Sequence, residues 1–195
     1  MLRRERSDIG KKIIVYFIGI TMVFSVFGVI FFGFGAGSGG SVKYNGLKFT
    51  DKGNFWSVNV NGREALFTYL PDEAASINAE SSAVERLKNV VQIDTTSEFN
   101  DTLAEPIALA QFQMAATLSN FNIFVRNGFT AEQQNFPVIT CNQSTNFVPV
   151  IYFKSSNATK VYLDNNCITA EALTQADVIR VKDRLVYGIL GIIKN

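Results

Sequence analysis

A chain of 195 residues, 47% hydrophobic and with a net charge of +1, has room for one or two domains. It contains no histidine, which excludes His-based catalytic triads, His-zinc sites and imidazole acid–base chemistry. Its charge is unevenly divided: residues 1–12 carry five basic against two acidic side chains, which leaves 13 of the 18 basic and 15 of the 17 acidic side chains to the rest. A mildly acidic remainder with no basic cluster is not expected to bind nucleic acid, which needs a positive surface for its phosphates.

The basic tail, 1–12, is followed by a stretch from Ile13 to Val42 with no charged side chain. Within it, Ile13–Phe34 is an apolar run of about 22 residues. At about 1.5 Å per residue that crosses a hydrocarbon core of about 30 Å. The run predicts a transmembrane signal-anchor helix over 13–35. Five basic residues precede it and only Lys43 closely follows, so the N-terminus is expected in the cytoplasm and the C-terminal domain outside. A cleaved signal peptide is the alternative, since Ala36-Gly37-Ser38 offers small residues to a peptidase. Secretory apolar regions are shorter, about 7–15 residues, which favours the retained anchor. A pilin-type leader would place a charge early in the apolar stretch, and none is there. Residues 36–41 read as a Gly/Ser tether. The Gly-x-x-x-Gly spacing that can pack membrane helices falls at the edge of the span and continues beyond it.

Residues 42–195 read as one extracytoplasmic α+β domain, with mainly antiparallel sheet and about three helices. Asn45-Gly46 joins strands Val42–Tyr44 and Leu47–Thr50. Asn61-Gly62 joins Phe55–Val60 and Arg63–Tyr69. Asn-Gly favours two-residue hairpins because both residues accept positive φ. Trp56, Val58 and Val60 alternate on one arm, and Ala65, Phe67 and Tyr69 on the other, a pattern that buries one face. Pro71 ends the strands. Asp72–Val90 is helix-compatible, and Val90–Thr95 reads as a buried strand.

The clearest helix spans about Pro106–Arg126, with Ile107, Ala110, Met114, Leu118, Phe121 and Val125 as its stripe. Thr102-Leu-Ala-Glu105 matches a capping box, but Pro106 fits better as the first helical residue. Gly128 is the expected left-handed stop. Strands follow at Pro137–Cys141, Phe147–Lys154 and Lys160–Thr169. Pro149 marks an edge position or a bulge. Thr174-Gln-Ala-Asp177 caps a final helix to about Leu190, striped by Val178, Val181, Leu185 and Ile189.

Cys141 and Cys167 are the only cysteines. Outside the membrane they are expected to form a disulfide. Closing a loop of about 25 residues stabilises a fold by roughly 3 kcal/mol in the chain-entropy model. Their spacing lacks the Cys-x-x-Cys form of redox pairs. Asn100-Asp-Thr102, Asn142-Gln-Ser144 and Asn157-Ala-Thr159 are glycosylation sequons in expected loops; Asn and Ser are also common in plain turns. No Walker loop, dinucleotide fingerprint or Gly-x-Ser-x-Gly elbow is present. Asp94, Glu98 and Asp101 lack the calcium-loop pattern and read as a solvated acidic loop. No metal or cofactor site is predicted. Asp177, Arg180, Lys182, Asp183 and Arg184 read as the exposed face of the last helix, where a partner would dock. Asp177 and Arg180 are spaced as a helical ion pair.

Lys43-Tyr-Asn-Gly-Leu-Lys-Phe49, Phe67-Thr-Tyr-Leu-Pro71, Pro137-Val-Ile-Thr-Cys141, Asn157-Ala-Thr159, Asn166-Cys167-Ile168 and Asp183-Arg-Leu-Val-Tyr-Gly188 spread over the outer domain. Through these stretches the chain resembles a group of uncharacterised single-span archaeal envelope proteins. The resemblance implies no activity and transfers no functional residue. The element order from residue 63 also permits a thioredoxin-like core, without that fold's active-site motif. The expectation is a non-enzymatic membrane protein whose outer domain binds an envelope protein or complex subunit. The alternative is an anchored binder of small solutes or glycans, or a carboxylate-dependent enzyme.

Overall fold

In the computed structural model, residues 40–133 and 135–193 are described; the basic tail, the apolar run and nearly all of the tether lie outside them. Among the described residues no helix is long and apolar enough to cross a membrane.

Two Asn-Gly turns fold the start of the domain into a meander. Asn45 and Gly46, then Asn61 and Gly62, all have positive φ, as their hairpins require. The four strands are β1 (Ser41–Tyr44), β2 (Leu47–Asp51), β3 (Trp56–Val60) and β4 (Arg63–Phe67), antiparallel and in sequence order. Phe49, Val58, Ala65 and Phe67 are buried on the inner face. Lys43 lies opposite Lys48 on the other, and both are exposed.

The helix-compatible segment after Pro71 is instead two short helices around a two-residue strand: α1 (Pro71–Ala75), β5 (Asn78–Ala79) and α2 (Ser81–Glu85). The interruption has a tertiary cause. A neighbouring strand recruits this stretch as a sheet edge: Glu80 N–H donates to the Val161 carbonyl at 2.9 Å, and Leu163 N–H donates to the Glu80 carboxylate at 3.2 Å. Pairing of this kind overrides local helix propensity.

A second sheet is built from β6 (Gln92–Ser97), β7 (Phe124–Phe129), β8 (Val150–Ser155), β9 (Lys160–Asp164), β10 (Cys167–Ala172) and β5. Its order is β5-β9-β10-β8-β6-β7. Every pairing in it is parallel except β9 with β10. The domain is thus α+β with an antiparallel sheet, as expected, but its larger sheet is mostly parallel and the described residues form four α-helices. The parallel strands are covered on both sides, as Val150, Ile151 and Phe153 of β8 show by being buried in succession or alternation.

Helix α3 (Ala104–Ser119) crosses from β6 to β7. It ends earlier than the apolar spacing predicts, because Asn122 takes the left-handed conformation, with φ 60°. Val125 therefore belongs to β7, paired with Ile93. Pro106 sits in the first helical turn, where its missing N–H has no partner to lose. Gly128 is not the stop. It lies in β7, and a Cβ there would come within 2.4 Å of the Pro137 carbonyl oxygen.

Residues 137–141 form an isolated bridge and lead into a short 3-10 turn, Cys141–Gln143, rather than a strand. Pro149 precedes β8, a central strand; standing just outside, it costs the ladder no donor, and its carbonyl accepts Asp94 N–H at 3.0 Å. The single strand expected over Lys160–Thr169 is a hairpin that turns at Asn165, φ 54°. Helix α4 (Gln175–Ile189) starts where the sequence places it, with the Thr174 hydroxyl accepting Asp177 N–H at 3.2 Å. It packs on β10 on one side. On the other, Tyr187 stacks on Phe67 at 3.9 Å and meets Phe49 edge-on at 6.1 Å.

Candidate functional site

Helix α4 is where the sequence places an interaction face, and its position between two sheets decides which of those residues reach solvent. Asp177 and Arg180 form the expected ion pair at 3.0 Å near the surface. Arg180 also lies over the Tyr69 ring, 5.0 Å from its centre. Asp183 and Arg184, with Lys182, are buried, Asp183 at 0% exposure. They are not an exposed face, because the side of α4 opposite its apolar stripe is covered by the first sheet. The Asp183 carboxylate accepts Thr68 N–H at 3.0 Å and Tyr69 N–H at 2.8 Å, and pairs with Lys182. One turn on, Tyr187 donates its hydroxyl to the Tyr69 carbonyl at 2.7 Å. Burial pushes the Asp183 carboxyl up, against the pull of Lys182 and the two N–H groups. These contacts are structural: they fasten α4 to the end of β4.

The second polar cluster lies on the face of the larger sheet away from the main core. Strand register places Tyr152, Thr169 and Tyr162 in one row and Lys154, Glu171 and Lys160 in the next. Glu171 is bound by Lys154 at 3.0 Å, Lys160 at 3.4 Å and the Tyr162 hydroxyl at 3.1 Å. Burial works to raise its pKa, but Lys154, Tyr162 and Lys160 together hold it below the ordinary carboxylate value. Tyr152 donates to Glu98 at 3.0 Å; burial and that carboxylate push its hydroxyl up to about 12. Both shifts lead away from neutrality, the opposite of what general acid–base work needs. The signal for this cluster was in the sequence: Tyr152-Phe-Lys154 and Lys160-Val-Tyr162 carry Tyr and Lys two apart, hence on one strand face.

The acidic segment is the expected exposed loop only in part: Glu98 is exposed after the end of β6, and Asp101 is half-buried. Asp94 is buried on β6, bound by Arg126 of β7 and by Gln92 at 2.8 Å. Asp101 accepts Leu103 N–H at 2.7 Å and Ser155 N–H at 2.9 Å. These carboxylates are used to join elements. Among the described residues no three His, Cys, Asp or Glu side chains come together to hold a metal.

Cys141 and Cys167 form a disulfide, with Cα atoms 5.0 Å apart, that ties the 3-10 turn to β10. Beside it lies a polar cleft of about 300 Å³ lined by Cys141, Asn142, Ser144, Asp164, Asn165 and Asn166. Asn100, Asn142 and Asn157 are all exposed. The Ser144 hydroxyl of the middle sequon is enclosed, donating to the Asn166 carbonyl and accepting Val150 N–H at 3.1 Å.

Two apolar surfaces are left exposed among the described residues. At the N-terminal ends of β6, β7 and β8, Val91 is 75% exposed, Phe124 61% and Phe147 83%. Separately, an apolar groove of about 160 Å³ runs between the first sheet and α3, lined by Phe55, Leu66, Phe112 and Ala116, with Lys182 at its floor. Phe112 is 67% exposed. Exposure of these aromatics is set by which neighbours the fold brings, so composition does not announce it. Compared with protein families, curated proteins and solved structures, the chain matches none.

Proposed function

We propose that this protein is a single-pass, membrane-anchored module whose outer domain binds another protein or subunit of the cell envelope. The carrying observation is the surface made by Val91, Phe124 and Phe147, three large apolar side chains left in water at one end of a sheet. Large apolar side chains exposed at the same end of neighbouring strands are what partner proteins cover, with aromatic residues as anchors. The disulfide, which persists in oxidising compartments, agrees with an outer location. The test is extraction of the full chain from its native membranes in mild detergent. A stoichiometric protein that stays with the wild type and is lost from Phe124→Ser/Phe147→Ser is expected. A wild-type chain that elutes alone overturns the reading.

A second reading, an anchored binder of small solutes or glycans, draws on the polar cleft beside the disulfide. Saturable binding of a solute that is lost on Asn166→Ala, with the disulfide intact, would favour it.

A further inference from the structure

We infer that the groove between the first sheet and α3 rests on the lipid bilayer, holding the outer face of β1–β4 against the membrane surface. The inference depends on the anchor reading above, and it adds an orientation for the domain. Three observations carry it.

The first is reach. Between the end of the apolar run and the first described residue, Gly40, lie about five residues. Fully extended, they span at most about 17 Å. A domain of this size is about 40 Å across, from a radius of gyration near 15 Å. Gly40 can therefore lie no farther than about 17 Å from the end of the apolar run. Gly40 sits on the first sheet: its carbonyl accepts Asp51 N–H at 2.9 Å, and Asp51 pairs with Trp56 on β3. With strands about 4.8 Å apart, Phe55 and Leu66 lie roughly 10–15 Å across the sheet from that point.

The second is the groove itself. Phe55 and Leu66 sit on the outer face of the sheet, the face opposite Phe49 and Val58, and Phe112 extends the strip along α3. Large apolar side chains at a membrane-proximal surface can enter the headgroup and acyl boundary, about 5–10 Å deep.

The third is charge. Lys43 and Lys48 are directly opposite on this same outer face, both exposed. Like charges facing each other across strands repel. Lipid phosphates relieve that repulsion, and basic side chains next to a membrane are drawn to anionic headgroups. Apolar strip plus facing lysines is the chemistry of a bilayer interface; a wholly apolar protein groove would leave the lysine pair unanswered.

The experiment uses the full chain reconstituted into phosphatidylcholine–phosphatidylglycerol vesicles. Trp56 is the only tryptophan, so Trp56→Phe gives a dark background. Into it go Phe112→Trp, reporting the groove, and Phe124→Trp, reporting the other apolar surface. Acyl chains brominated near the headgroup end are the quencher. Loss of most of the Phe112→Trp emission, with Phe124→Trp little changed, is expected, and Lys43→Glu/Lys48→Glu should weaken that quenching. Phe112→Trp emission unaffected by bromine, in a chain that stays with the vesicles after alkaline washing, overturns the docking inference and leaves the anchor standing; the groove is then free for a protein. A chain washed off the vesicles overturns both. Trypsin resistance of the domain in detergent, equal to wild type, confirms that each variant is folded.

Discussion

The Asp183 carboxylate on α4 accepts the backbone N–H of Tyr69 at 2.8 Å, 114 positions away in the chain. With the Thr68 contact and the Tyr187 hydroxyl on the Tyr69 carbonyl, one helical turn satisfies three backbone groups at the exit of β4. These groups are where a strand gives way to a helix and have no ladder partners of their own. A buried carboxylate is costly unless it is paired and hydrogen-bonded, and Asp183 has both a cation and two donors.

Asp183→Ala removes that acceptor and strands Lys182 in the interior. The expected loss is about 3–5 kcal/mol, read by urea unfolding. Lys182→Met added to it should recover part of that loss, since it removes the uncompensated charge while the two N–H groups stay unmet. Tyr187→Phe keeps the ring on Phe67 and drops one hydrogen bond, so it should cost only about 1 kcal/mol. Equal losses for Asp183→Ala and Tyr187→Phe would show that the charge pair contributes little.

Glu171 should make the larger sheet acid-sensitive. Its folded pKa lies below the ordinary value of 4.5, so the unfolded chain takes up this proton first. Its stabilisation is complete above about pH 4.5 and drains away as pH falls through the lower folded value. Lys154 and Lys160 are partly exposed, which screens the pair, so the contribution is about 1 kcal/mol. Melting temperatures of wild type and Glu171→Gln should differ near pH 7 and draw together as pH falls below about 4.5. A gap that stays constant with pH would mean that Glu171 acts through packing.

Tyr152 predicts the opposite limb. Its hydroxyl is raised to about 12, so burying it disfavours the phenolate. Stability from this group is complete below pH 10 and is lost as pH rises from about 10 towards 12. Tyr152→Phe should flatten the alkaline limb. An unchanged limb would place the alkaline transition elsewhere.

The disulfide closes a loop between positions 26 apart. Cys141→Ala/Cys167→Ala should lose about 3 kcal/mol, which lowers the melting temperature by roughly 6–12 °C for a domain of this size. Reductant should lower the wild type by a similar amount and leave the double variant unmoved. Two free thiols by intact mass in protein isolated without reductant would contradict the bond.

What the sequence made legible was local. Asn45-Gly46, Asn61-Gly62 and the Thr174 cap are short-range devices whose φ preference or side-chain acceptor acts within four residues, and each is found in place. What it hid was tertiary. The apolar stripe of α4 states which residues prefer a core, but not that a second sheet covers the other side, so Asp183 and Arg184 read as surface. The recruitment of Asn78–Ala79 depends on Val161, far along the chain. Asn122, rather than the glycine six residues later, stops α3, because β7 must begin in time to pair with β6. The groove and the Phe124–Phe147 surface depend on absences of neighbours, which no spacing encodes.

Gly188 offers the most direct test of helix packing. A Cβ at that position would lie 2.4 Å from Val84 Cγ1, so α2 and α4 approach closely because position 188 has no side chain. Gly188→Ala gains helix propensity, worth up to about 1 kcal/mol, but forces an overlap with a side chain that is stiff at its first torsion. Overpacking of this kind costs about 1–3 kcal/mol, so a net loss is expected. Val84→Ala alone opens a void and also destabilises. Together the two changes remove the two Val84 methyls and set one new methyl at position 188 in part of the space they leave, and the double variant should be more stable than the sum of the single losses allows. A coupling of at least about 0.5 kcal/mol marks residues in direct contact. Additive losses would mean that α2 and α4 do not meet at this pair.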